Sequence, residues 1–158
     1  MWERNGTDMN SALDVAKYII HYCTLNGKPI SNIQLQKILY YVQLNFYRML
    51  DRAAFSESIE AWQYGPVVPV VYDKYRQYGA VQICQFDFGI QEHFSNREID
   101  LINRVIELCI SVGPWELVNK SHKIGGPWEV IYKGYNQEIP DKIIREYAKE
   151  GKISNYNG

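Results

Sequence analysis

The sequence predicts an α+β domain that is mainly α: a compact helical body carrying a small antiparallel β-sheet. Three observations predict it. Apolar residues recur at helical spacing in several segments that open with capping signals. One segment, Ser58 to Tyr64, alternates with a period of two instead. Gly-Pro breakers divide these segments, with no repeats, low-complexity tracts or linkers between them. A chain of 158 residues is expected to form one domain and to bury roughly 70% of its unfolded surface. The expected domain spans residues 11–150. Residues 1–10 are polar and aperiodic and are expected to be flexible, with Met9 a candidate start. Residues 151–158 form a tail.

Taken in order, the first helix opens at Ser11, with Asp14 three residues on as an acidic capping-box relative. Ala12, Val15, Ala16, Ile19, Ile20 and Cys23 form its apolar stripe, and Asn26-Gly27 ends it. The second helix has the strongest local signature. Ser31 caps, Gln34 reaches back, and Ile30 and Leu35 occupy the staple positions. Leu35, Ile38, Leu39, Val42, Phe46 and Met49 form its stripe. Lys37, Tyr40, Tyr41, Gln43 and Tyr47 spread around the rest of the helix. Several tyrosines off a core stripe imply either a covering element or a partner.

Residues 51–57 read as a loop before the alternating run. Gly65-Pro66 then forces a turn, because proline drives the residue before it out of the helical region. Pro69 suits the first turn of a helix that runs to about Tyr78 and stops at Gly79. Val81 and Ile83 alternate, so Ala80–Gln85 is expected as a second strand, pairing with Ile59–Gln63. Residues 87–94 read as a loop. The next helix opens at Ser95 with Glu98 as capping box, its core face being Ile99, Ile102, Val105, Ile106 and Cys109. Gly113-Pro114 breaks it, and a helix resumes to about Ser121. Gly125-Gly126-Pro127 turns the chain into a short helix over Trp128–Lys133. The last helix spans Pro140 to about Lys149, with Ile143, Ile144 and Tyr147 inward.

Composition excludes several functions. A net charge of −1 argues against a binder that relies on a basic face. No apolar run has the length of a membrane span. Three well-separated cysteines (Cys23, Cys84, Cys109) read as reduced residues of a cytoplasmic protein. The unusual figure is 13 Tyr with 4 Trp, residue types enriched at protein interfaces. Most of these rings are expected in the core, with their hydroxyls reaching water or backbone.

No phosphate loop, nucleophile elbow or metal-ligand spacing is present. His21 and Cys23 lie two apart on a helix and face different ways. Cys109 with His122 forms a nucleophilic pair only if the turn at Pro114 folds the following helix back. A plain buried cysteine is the commoner case. Glu57 and Glu60 read as solvated charges beside a strand before they read as a carboxylate pair. His122 closes a helix ahead of Gly-Gly-Pro-Trp. It serves either as a polar recognition contact or as a partner for helix-end carbonyls, while Trp128 reads as core.

Three motifs carry a resemblance to a known family. The run Ile59 to Trp62 and then Tyr64-Gly65-Pro66-Val67-Val68-Pro69-Val70-Val71-Tyr72 resembles the hallmark of the Panacea domain, found in SocA-like antitoxins and phage-associated proteins. Leu35 to Tyr41 resembles its upstream helix, Ser121-His122 with Pro127-Trp128 its downstream element, and Ile139 to Tyr147 its closing helix. The resemblance implies a cytoplasmic antitoxin that neutralises a protein toxin encoded nearby by direct binding. In the SocA branch it implies delivery of that toxin to a cellular protease. It implies no catalytic residues, no metal and no cofactor. Some members add a DNA-binding domain, which this chain length leaves no room for, so nucleic acid is not an expected partner. The expected partner face is Lys37, Tyr40, Tyr41, Trp62, Tyr64, Tyr72 and His122. Gly65, Pro66, Pro69, Pro127 and Trp128 are expected to build the corner beneath it. The competing expectations are an enzyme using His122 in a cleft and a nucleic-acid-binding regulator.

Overall fold

The computed structural model of the protein describes residues 9–154. The expectation of flexibility for residues 1–8, and that of a tail over residues 155–158, lie outside the described residues. Asn10 is already buried, and Ile153 packs on the core.

The architecture is the α+β, mainly helical one. Its elements are α1 (Ala12–Leu25), α2 (Asn32–Leu50), β1 (Ile59–Trp62), β2 (Gly65–Val67), α3 (Pro69–Lys74), α4 (Asn96–Ile110), α5 (Pro114–Ser121), α6 (Pro127–Ile131), β3 (Gln137–Ile139) and α7 (Asp141–Glu150). Single 3-10 turns cover Arg76–Tyr78 and Ile90–His93. The first shortens the α-helix expected to reach Tyr78, and the second structures part of the loop expected over residues 87–94.

α2 is the central post. Its N-terminus carries a complete capping box, the Ser31 side chain accepting from the Gln34 N–H and the Gln34 side chain from the Ser31 N–H. Ser95 and Glu98 do the same for α4. α2 touches α1, α4, α5, α7 and β2, so it is covered on most sides. Leu35, Ile38, Leu39 and Val42 lose all solvent contact there, each such burial contributing roughly 1.5–3 kcal/mol. This covering corrects two expectations. Lys37 and Tyr40 do not turn away from the core but lie inside it, because α5, α7 and β2 close over the face that carries them. Met49, expected on the stripe, is exposed in the last turn.

The sheet is antiparallel throughout, in the order β2-β1-β3. Trp62 pairs with Gly65, leaving Gln63 and Tyr64 as a two-residue hairpin turn. Gly65 therefore opens β2 instead of forming the turn. Its φ of +114° is one that side chains rarely adopt. Pro66 is tolerated because β2 is an edge strand. The expected pairing of Ala80–Gln85 with β1 does not form. β1 takes β3 as its second partner, with Ile59 opposite Ile139. Ile83 instead makes an isolated bridge to Ile30. Ile83 is buried but Val81 is exposed, so their alternation does not mark one buried face.

Candidate functional site

The β1–β2 hairpin is held by side chains from two helical elements. Lys37 Nζ from α2 donates to the Pro66 carbonyl at 2.7 Å. Trp128 Nε1 from α6 donates to the Trp62 carbonyl at 2.6 Å. His122, at the C-cap of α5, lies beside the Tyr64 backbone, which favours its protonated ring. Carbonyls 62 and 66 are thus each met by a donor from outside the sheet. The Gln36 side chain accepts from Val68 N–H at 2.9 Å, and Asn32 donates to the Tyr72 carbonyl at 3.2 Å. The strand-to-helix corner is fixed on both sides of Pro66.

Space is as tight as the bonding. A Cβ on Gly65 would come within 2.7 Å of Ser121 Oγ and 2.8 Å of Lys37 Cε. Only glycine serves here, on both backbone and packing grounds. The His122 ring stacks on Trp128 with centroids 3.7 Å apart, and Trp128 stacks on Tyr132. Trp62 meets Tyr72 edge-on at 4.9 Å and donates to Glu60 at 2.9 Å.

The electrostatics follow from this packing. Lys37 has no solvent contact and makes no ion pair among the described residues, so burial lowers its amine to about 7. His122 is lowered by burial and by the neighbouring Lys37, with the Tyr64 backbone opposing. Its Nε2 is buried without a hydrogen-bond partner.

What the corner displays is aromatic. Tyr64 at the hairpin tip is 50% exposed and meets Trp115 of α5, 67% exposed, with ring centroids 6.1 Å apart. Trp62, Tyr72 and His122 are half-buried behind them, and Tyr41 is half-buried on α2. Of the expected partner face, only Tyr64 is freely exposed. Trp115 was missed because it sits just after a proline helix start, apart from any motif. An exposed tryptophan is visible only once α5 is placed. Pro69 and Pro127 each occupy a first helical turn, as their fixed φ suits.

The alternatives for chemistry find other roles. Burial pushes the Cys109 thiol up to about 12, the reverse of thiolate activation. Glu57 accepts from the Ala12 N–H, and Glu60 is engaged by Trp62. Among the described residues no cluster of three metal-ligating side chains forms, and no helix is long and apolar enough to cross a membrane.

The fold and corner define a mainly helical domain whose signature residues hold one hairpin, with Tyr64 at its tip against Trp115 of α5. The chain belongs to the family described as Antitoxin SocA-like, Panacea domain, whose model matches residues 35–129, more than half of the chain. It is similar to Antitoxin SocA of Caulobacter vibrioides (strain NA1000 / CB15N). That match is 31% identical over 156 residues, covering 89% of this chain and 83% of the relative. No solved structure matches the chain significantly.

Proposed function

We propose that the protein is a cytoplasmic antitoxin that neutralises a protein toxin by direct binding, with the Tyr64–Trp115 pair at the centre of the interface. The observation that carries this is two large rings, half or more exposed, that meet at the corner: Tyr64 on a hairpin fixed by two side-chain hydrogen bonds, and Trp115 beside it on α5. Rings held this way lose little freedom on docking, and such anchors dominate interfaces, at roughly 2 kcal/mol or more each on truncation. Tyr41, Trp62, Tyr72 and His122 flank them. Lys37 acts from below, by holding the frame, and Tyr40 packs against Tyr41. The reading is non-enzymatic: the polar groups of the corner are used on backbone carbonyls. A net charge of −1, with 17 Lys and Arg against 18 Asp and Glu, disfavours a nucleic-acid face. Delivery of the bound toxin to a protease is a further step of the same reading, visible as a shortened toxin half-life.

The test is co-expression with the neighbouring open reading frame, followed by pull-down with Tyr64→Ala and Trp115→Ala. We expect rescue of growth by the native protein, and loss of binding by variants that melt normally. A neighbour that is harmless alone, or folded variants that bind as before, would refute the reading.

A further inference from the structure

We propose that residues 83–87 form a strand edge that accepts an extended, acid-bearing segment of another protein. This inference does not rest on the toxin-binding reading and concerns a different part of the molecule, against α1 and α3. Every second N–H of the segment is anchored inward. Ile83 donates to the Ile30 carbonyl at 2.8 Å, Gln85 to Thr24 Oγ1 at 3.2 Å, and Asp87 to His21 Nδ1 at 3.0 Å. In extended chain, successive backbone groups point to opposite sides. The N–H and C=O groups of Cys84 and Phe86 therefore point outward, and they have no hydrogen-bond partner among the described residues. Phe86, on the segment, and Phe88, in the turn that follows it, cover the same side of His21. Their rings lie on one side, stacked at 5.4 Å and 9°, and both meet His21 edge-on. They are 58% and 75% exposed. An open edge flanked by apolar rings is a template for an added strand.

The chemistry beside the edge selects the occupant. A cavity of about 260 Å³ adjoins it, lined by Lys17, Lys74, Gln85, Phe86 and Asp87 among others. That is below the roughly 300–1,000 Å³ of small-molecule sites and suits a side chain. Among the described residues neither Lys17 nor Lys74 makes an ion pair, so the lining carries two cations against the one carboxylate of Asp87. An Asp or Glu of the incoming strand completes this balance, while apolar neighbours at alternate positions cover Phe86 and Phe88. A second copy of the chain fits less well. Its own edge carries the same excess of lysine over carboxylate, so self-pairing supplies the lysines with no counter-ion.

The probe is a phage-displayed library of random decapeptides, selected on the full chain. Enriched peptides should alternate apolar residues with at least one acid. Saturation with a synthetic copy should slow amide exchange of Cys84 and Phe86 at least tenfold. The double variant Lys17→Glu/Lys74→Glu should bind these peptides at least tenfold more weakly, and Phe86→Asp should abolish binding. Each variant must melt as the native protein does. Tyr64→Ala should bind them unchanged, which separates this site from the toxin face. The proposal is overturned by no enrichment, by peptides without acids, by protection at other amides, or by a free protein that sediments as a dimer through this edge.

Discussion

Replacing Lys37 with methionine should abolish a rise in stability with pH that the native protein shows. Burial lowers the Lys37 amine from 10.5 in the unfolded chain to about 7 in the fold. Between these values the unfolded chain binds a proton that the folded chain does not. Stability therefore rises with pH across this window, because the unfolded state binds more protons. The charged amine's penalty is full below about pH 7 and fades as pH approaches 10.5. At about 1.4 kcal/mol per unit, the native protein should gain about 2 kcal/mol between about pH 7 and about pH 9. From about pH 9 upward the buried Cys23 and Cys109 thiols, raised from 9.0 to about 12, and higher still the buried Tyr40 and Tyr41 hydroxyls, work in the opposite sense, so the assay stops at about pH 9. Urea melts at unit steps of pH measure the slope. Methionine fills the same channel without an amine and should leave a flat profile. A flat native profile, or an equally steep one in Lys37→Met, would refute the assignment of a buried, unpaired amine.

Gly65→Ala should cost about 3–4 kcal/mol, combining positive-φ strain with displacement of Ser121 and Lys37; a melt within about 1 kcal/mol of native would contradict the packing. Pro66→Ala should cost only about 0.5–1 kcal/mol, since alanine keeps the carbonyl that Lys37 reaches; a loss like that of Gly65→Ala would count against this. Trp128→Phe keeps a stacking ring but removes the 2.6 Å bond to the Trp62 carbonyl. It should cost about 1–3 kcal/mol in a denaturant melt, and an unchanged midpoint would show that bond to be idle.

Most helices were legible because their signals are local. Ser31-Gln34 and Ser95-Glu98 are capping boxes in sequence and in structure. Pro69 marks a helix start that needs no tertiary information. The errors arise where distant elements decide. Lys37 and Tyr40 read as off-stripe until α5, α7 and β2 close over α2. The Ala80–Gln85 pattern resembles a strand, but Ile83 is claimed by Ile30, while the three-residue β3 is too short to give a period. Gly65-Pro66 reads as a turn because the dipeptide usually is one. Only the pairing of Trp62 with Gly65 moves the turn to Gln63-Tyr64. The corner was legible as a motif, but its division into hidden frame and exposed rings was not.

That division explains why a costly buried lysine sits at the corner. Backbone carbonyls taken from water must find donors, or the fold loses about 1–3 kcal/mol for each. The hairpin turn leaves carbonyls that need donors from beyond the sheet, and the donors come from α2 and α6. Each comes from a side chain with suitable reach: a four-carbon amine from the central helix, an indole from a short helix. The corner closes only when both elements are docked, which ties its geometry to the cooperative fold. The residues that carry the family signature are accordingly consumed in holding Tyr64 in place. In the proposed reading recognition falls to rings beyond the frame, Tyr64 at the tip and Trp115 beside it, where substitution would alter the partner without undoing the domain.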